Sequence, residues 1–437
     1  MKLLIIGIDL AVKGRHTAAL FDPAGNRFLM KRYRFRSRAS EMEKLLRRAQ
    51  QEADEETKVA AVLEATGMSW FEVGQYLHRR GVEVYRVNGR QTKDLRRVSW
   101  RHARSDKLDS QTLARLPVAA PKEIDIWTPP NGEQLALQRL CREMQRLTLW
   151  QTAIQQRLQS LDQWSWGGLE KIVPAACRDW VRVSWYDPFA VWGATEAYLT
   201  VQVQAAFPNV DTDWVAAWVE RAREMVMLYQ DPEVVGYKYL AEMNQRELER
   251  FEIFSEMKRR LWDEHLQPLY HQLYPNDVLL TLKGVGERSA AIYHGFILDI
   301  ERFPNGDAFA QWTGMTPRSN QSGEAHSKRM PLSKQGPNLI KTTLYQNANV
   351  ARLWDVQLAN IYYTQMIHYG KTHTQAVCAV ASHLARRIYA ILRDQRPYQF
   401  RNLDGQPISP EVSRSLILEH FQVPPEIRQQ RRKRRLS

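Results

Sequence analysis

Residues 2–10, KLLIIGIDL, form an apolar run broken only by Asp9 near its end. Such a run has the character of a central strand, and it dictates a sheet that other elements must cover. The following residues continue the pattern. Residues 17–21 read as a second strand, DPAGN at 22–26 has turn chemistry, and residues 27–35 read as a third strand. Helical spacing runs over 40–52, with Ser40 placed to cap it. Residues 59–65, VAAVLEA, form another apolar strand that ends in an acid, Glu64. A helix over 70–80 and a strand over 81–87 follow. Three strands, a helix, a strand, a helix and a strand predict a mixed α/β N-terminal domain.

Length and composition bound the rest. A chain of 437 residues is expected to form two or three domains, and 44% hydrophobic with 25% charged residues excludes wholesale disorder. No apolar run approaches the roughly 18 to 20 residues of a membrane-spanning helix, so no membrane partner is expected. The N-terminus resembles a signal peptide only briefly. Asp9 interrupts it and no small-residue cleavage pattern follows, so an uncleaved cytoplasmic protein is expected. Three scattered cysteines, Cys141, Cys177 and Cys378, argue against a disulfide framework or a structural zinc site. Sixty-two Lys+Arg against 48 Asp+Glu give a net charge of +14, which favours a polyanionic partner.

Boundaries follow from breaks in composition. Prolines 117, 121, 129 and 130 close a first domain over 1–117. A long helical or coiled-coil region with a Trp-rich insertion is expected over 131–273, and a mainly helical domain over 274–400. Residues 401–437 read as a tail, almost purely basic and flexible from 428 to 435.

Asp9 and Glu64 both stand where an apolar strand stops, so adjacent strands would set two carboxylates side by side. Asp106 and Asp109 are three apart in a helical segment and share a face. Four converging carboxylates repel unless a divalent cation lies among them, and an all-oxygen set suits Mg²⁺ or Mn²⁺. Two such ions can activate a nucleophile at a phosphodiester and stabilise the leaving oxygen. The basic run over 86–107, which includes Arg97, Arg101 and Arg104, would hold a phosphate backbone close by. Any one of these acids alone reads more readily as a turn residue or a cap, and it is the two strand-end acids together with the Asp-x-x-Asp helix that point to a metal site.

Gly7-Ile8-Asp9, Leu63-Glu64-Ala65-Thr66-Gly67 and the segment from Ser105 to Ala114, SDKLDSQTLA, resemble the DEDD motifs of an insertion-sequence transposase family. That family also includes Piv-type invertases and bridge-RNA-guided recombinases. The resemblance implies an N-terminal RuvC-like, RNase H-type fold with the tetrad Asp9, Glu64, Asp106 and Asp109 as its metal site.

The second half of the chain carries a matching series. Lys283-Gly284-Val285-Gly286 precedes a helix and reads either as a phosphate-binding turn, as in helix-hairpin-helix modules, or as a tight interhelical turn. After it come a turn centred on Phe303 and Phe309, the step Gly314-Met315-Thr316-Pro317, Ser322-Gly323, and Leu332-Ser333-Lys334-Gln335-Gly336. This order resembles the C-terminal transposase domain of the same family, whose Ser-Gly serine is the nucleophile. By position that serine is Ser322, with Ser319, Ser327 and Ser333 as local competitors. Arg318, Lys328 and Lys334 are placed to bind phosphate. Where the family commonly has Lys-Arg-Gly and a Leu-Arg pair, this chain has Lys334-Gln335-Gly336 and Leu339-Ile340, which removes two arginines.

The resemblance implies a DNA recombinase of a mobile element that forms a phosphoserine intermediate. It also implies a structured non-coding guide RNA, donor and target DNA, a tetramer, and work at the nucleoid of a prokaryotic cytoplasm. A hydrolytic junction resolvase using only the four acids, and a non-catalytic nucleic-acid-binding protein, are the competing readings. Seven of the fourteen tryptophans fall within 164–218, and they read better as the core of a helical subdomain than as a platform for bases. His16, His78, His102 and His326 are assigned no role.

Overall fold

The computed structural model describes residues 2–54, 56–65, 69–87, 106–121, 124–316, 321–322, 325–326, 332 and 336–433. The chain divides into two compact units, Met1–Pro130 and Asn131–Ser437. The basic run over 88–105 lies outside the described residues, and so do Arg97, Arg101 and Arg104. The same holds for Arg318, Lys328 and Lys334.

In the first unit the elements are β1 (Lys2–Asp9), β2 (His16–Asp22), β3 (Arg27–Phe35), α1 (Ala39–Gln51), β4 (Thr57–Glu64), α2 (Ser69–Arg79), β5 (Glu83–Val87), α3 (Asp106–Ala119) and a two-residue edge strand β6 (Asp125–Ile126). Their order in the sheet is β3-β2-β1-β4-β5-β6. β1 runs parallel to β4, and β4 parallel to β5, while the β1–β2, β2–β3 and β5–β6 pairs are antiparallel. β1 is therefore a central strand, and Leu4, Ile5, Ile6 and Ile8 are fully buried.

The period-2 alternation of the strands splits their side chains between two cores. Leu4, Ile6, Ile8, Ala61 and Leu63 join Met42, Leu45 and Leu46 of α1 and Val73 and Leu77 of α2. Ile5 and Val62 instead join Leu113, Ala114 and Leu116 of α3. The result is an α/β/α sandwich with α3 alone on one face among the described residues.

Two local expectations are corrected. Ser40 does not cap α1: the N-cap is Arg38, which makes no side-chain cap bond. The carboxylate of Glu41 instead accepts from the Arg36 backbone N–H at 2.9 Å. Pro117 does not end α3, which runs through it to Ala119. A proline removes only one backbone donor, and the next turn still closes through Ala120 N–H to Leu116 O at 2.9 Å.

The second unit is helical. α4 (Gly132–Ser165) pairs with α10 (Tyr237–Arg260), tied by Gln151 to Ser255 at 2.7 Å and by Trp150 against Phe254. Between them lie α5 (Leu169–Ile172), α6 (Arg178–Ser184), α7 (Pro188–Gly193), α8 (Glu196–Ala206) and α9 (Trp214–Tyr229). Trp166 and Trp218 are fully buried, and Trp180, Trp185 and Trp214 pack around them. The tryptophan-rich stretch is thus a helical subdomain with an indole core, whereas Trp164 and Trp192 are exposed.

A π-turn over Leu261–Leu266 follows α10 just before Pro268, which has no N–H to continue a regular ladder. Then come α11 (Gln267–Leu273), α12 (Glu287–Ile297), α13 (Gly306–Thr313), the short strands β7 (Gln321–Ser322) and β8 (Ala325–His326), α14 (Asn338–Ala351), α15 (Val356–Ile367) and α16 (His373–Asp394). A single core joins Leu137, Cys141 and Met144 of α4 and Trp262 and Tyr270 to residues from α12 through α16. The expected tail is structured as far as Lys433. α17 (Pro410–His420) sets Ile417 against Val356 and Ala359, and α18 (Pro425–Lys433) packs Ile427 on the main core. No helix among the described residues is long and apolar enough to cross a membrane.

Candidate active site

Asp9 closes β1 and Glu64 closes β4, and the parallel register Ile8↔Leu63 makes them consecutive at the same sheet edge. Alternation then fixes their face. Asp9 lies two and four residues beyond Gly7 and Ile5, and Glu64 lies two beyond Val62. Both acids therefore belong to the face that α3 covers.

Gly7 sets how closely α3 can approach. A Cβ at this position would fall 2.0 Å from the Ser110 carbonyl oxygen and 2.3 Å from the Ala114 nitrogen. The helix backbone thus rests directly on the strand backbone, which any side chain at position 7 would prevent. Gly7 meets the turn from Ser110 to Ala114, while Ile5 shares a core with Leu113 and Leu116, so the start of α3 lies toward the Asp9 end of β1. Asp106 and Asp109 occupy that first turn. Asp9, Glu64 and Asp109 are half-buried, Asp106 is exposed, and one carboxylate oxygen of Asp109 is sequestered from solvent.

The four carboxylates thus share one corner of the sandwich, yet they do not form a closed cage. Among the described residues no three His, Cys, Asp or Glu side chains stand close enough to hold a metal ion together. The donor set itself, oxygen atoms only and anionic throughout, fits Mg²⁺ or Mn²⁺.

His16, which sequence reasoning left without a role, secures the loop behind Asp9. Its ring is almost fully buried, accepts from the Ala11 backbone N–H at Nδ1 (3.1 Å), and lies 2.8 Å from Ser37 Oγ at Nε2. An acceptor Nδ1 requires a neutral ring with its proton on Nε2. Burial, partly countered by Glu72, pushes its pKa below the usual histidine range, consistent with that state. Arg86, the first residue of the basic run, falls on the opposite face of the sheet, its guanidinium 5.4 Å from the Trp70 ring centre.

In the second unit, Ser322 ends β7 and pairs with Ala325 of β8. Gly336 has φ +72°, and a Cβ there would meet the Trp312 carbonyl oxygen at 2.0 Å, which explains a glycine in this motif. Gly284, with φ +100°, lies against the backbone of Asn347 and Ala351. The Asn347 amide donates to the Gly284 carbonyl and, at 3.0 Å, to Ser289 Oγ, and Tyr293 OH donates to Asn347 Oδ1 at 2.7 Å. The Gly284 side of the turn is thus packed inward. A Cβ on Gly286 would meet nothing, the Lys283 ammonium lies 5.7 Å from the Trp354 ring centre, and both residues are exposed.

These features define a two-unit protein with an acid-edged α/β/α sandwich followed by a helical unit. Residues 6–163 match a family model described as a transposase, and residues 276–364 match one described as transposase IS116/IS110/IS902 family. Together they cover more than half of the chain, which belongs to the IS110 family of transposases. Among similar proteins, the pilin gene-inverting protein of Moraxella lacunata is 23% identical over 207 residues, 41% of this chain and 64% of that protein. Its counterpart in Moraxella bovis matches to the same extent. An uncharacterized 43.6 kDa protein of insertion element IS110 from Streptomyces coelicolor is 31% identical over 132 residues, 30% of this chain and 31% of that protein. The chain therefore spans less than two thirds of each of these relatives.

Proposed function

We propose that the protein is a DNA transposase or recombinase of a mobile element, with Asp9, Glu64, Asp106 and Asp109 in an RNase H-like domain and Ser322 as nucleophile. The observation that carries this reading is the contact at Gly7. It seats the helix bearing two acids over the strand ends bearing the other two. The names of the relatives, a gene-inverting protein and an insertion-element protein, point to the same chemistry of DNA rearrangement.

The four carboxylates would hold Mg²⁺ or Mn²⁺, which supplies charge stabilisation at a scissile phosphate. Ser322 Oγ attacks phosphorus, the bond to the leaving sugar oxygen breaks, and that oxygen takes up a proton. A phosphoserine ester links protein to DNA until a second strand's hydroxyl displaces the serine. Lys283 and Gly286, together with Arg97, Arg101, Arg104, Arg318, Lys328 and Lys334, bind backbone phosphates. Sequence choice falls to a structured RNA paired with donor and target DNA, and synapsis of two duplexes requires a tetramer.

Ser322→Ala tests this reading. In a two-plasmid recombination assay with the element's flanking RNA, it should abolish both recombinants and covalent protein–DNA adducts. If the variant recombines like the wild type, the serine assignment fails. Cleavage by the wild type to free hydroxyl ends, without an adduct, would make the protein a hydrolytic nuclease instead.

A further inference from the structure

A second charged site lies in the C-terminal part of the helical unit. A cavity of about 300 Å³ is lined by Arg352, Arg414 and Arg428, with Tyr362, Phe421 and Gln422 among its walls. No acid lines it. Among the described residues, none of the three guanidiniums forms an ion pair with a carboxylate.

Arg352 is the decisive member. It is only 8% exposed, and its Nε and Nη2 are both spent on Asn349 Oδ1, at 3.0 and 2.9 Å. Its guanidinium lies 4.0 Å from the Tyr362 ring centre. Arg352 follows α14 as its C-cap, so the helix dipole offsets part of its charge. That role does not explain why α17 and α18 bring two further arginines to the same cavity. Arg414 is held 4.7 Å from the Trp354 ring centre, and Arg428 comes from the turn that opens α18. Three converging cations around a partly desolvated pocket repel one another unless an anion joins them.

We propose that this cavity is a phosphate-binding site, taking one phosphoester group between Arg352, Arg414 and Arg428. The forks of Arg414 and Arg428 match a phosphate's oxygens in pairs, and Arg352 adds the N–H donors that Asn349 does not take. Phe421 and the half-exposed Leu353 and Leu418 offer an apolar wall for the planar base of a nucleotide. The phosphate can come from a nucleic-acid backbone or from a free nucleotide.

His373 supplies a reporter beside the site. Its Nδ1 lies 2.8 Å from Tyr362 OH. Burial, then the charges of Arg352 and Arg428, hold its pKa below the usual range. A bound phosphate would cancel that field and move the histidine upward.

The full-length protein is titrated with inorganic phosphate, with a nucleoside monophosphate and with a short single-stranded oligonucleotide. Binding is followed by calorimetry and by the His373 imidazole resonance. The Arg414→Gln, Arg428→Gln double variant is compared with Arg352→Lys, and circular dichroism checks that each is folded. Arg414 and Arg428 are exposed, so their replacement leaves the fold intact. The wild type should bind, and each variant should bind at least roughly 10-fold more weakly. The His373 signal should move only in proteins that bind. Tighter binding of the oligonucleotide identifies a nucleic-acid backbone as the source, and tighter binding of the monophosphate identifies a free nucleotide. Equal affinity in wild type and double variant, or a His373 resonance indifferent to phosphate, would overturn the site.

Discussion

The acid corner of the N-terminal sandwich and the arginine cavity of the helical unit are opposite in charge and in construction. The acids are placed by strand register, alternation and one glycine, so the backbone sets their positions. The arginines come from three helices and meet at the rim of one cavity on long side chains, so rotamers set theirs. The arginine cavity gathers like charges with no acid in its lining, a state that costs stability and is retained where an ion of opposite sign binds. Backbone placement suits a reaction that demands fixed geometry, whereas flexible cations suit holding a phosphate of variable surroundings.

The largest effect should come from breaking the backbone placement. Gly7→Ala puts a methyl group where the Ser110 oxygen and Ala114 nitrogen now lie, and the obstacle is backbone that cannot rotate away. We expect a loss of about 3 kcal/mol, at the upper end of overpacking costs, with protection lost across β1 and α3 in hydrogen exchange. Unchanged stability would mean that α3 does not rest on β1 as described. Smaller in stability but large in function is Glu64→Gln. It preserves shape and removes one carboxylate from the proposed metal site, so recombination should fall roughly 100-fold while the melting temperature changes little. A variant that lost stability and kept activity would invert the comparison, making the corner a structural network.

The sequence made the corner legible for a physical reason. Apolar runs ending in acids, read with a period of two, locate strand ends and faces, and the third strand, 27–35, needed no correction. Cap and break signals failed where tertiary bonding outweighed local preference, as at Ser40, passed over in favour of Arg38, and at Pro117, absorbed near the end of a helix. The arginine cavity could not be read at all: Arg352, Arg414 and Arg428 follow no periodic pattern and meet only through the packing of three helices. His16 was equally hidden, because its partner is a backbone N–H in a loop whose path no local pattern encodes.

His16 gives the smallest and most discriminating test of backbone placement. Its folded-state pKa is depressed by burial, so the unfolded chain binds a proton more readily than the folded one. The stability it contributes is present above the unfolded value of about 6.5 and is lost as pH falls toward the folded pKa. Exchange protection of β1 and β2, normalised for intrinsic rates, should therefore weaken as pH falls below about 6.5. In His16→Gln that slope should flatten, and the neutral-pH stability should drop by about 1 kcal/mol, because the amide reproduces the bond to Ala11 imperfectly. Recombination should follow the same pH course in the wild type, since protonating the ring at Nδ1 expels the Ala11 N–H and loosens the loop that leaves Asp9. A wild-type slope identical to that of His16→Gln would show that the corner is rigid without the histidine, leaving the sheet register and Gly7 to position Asp9.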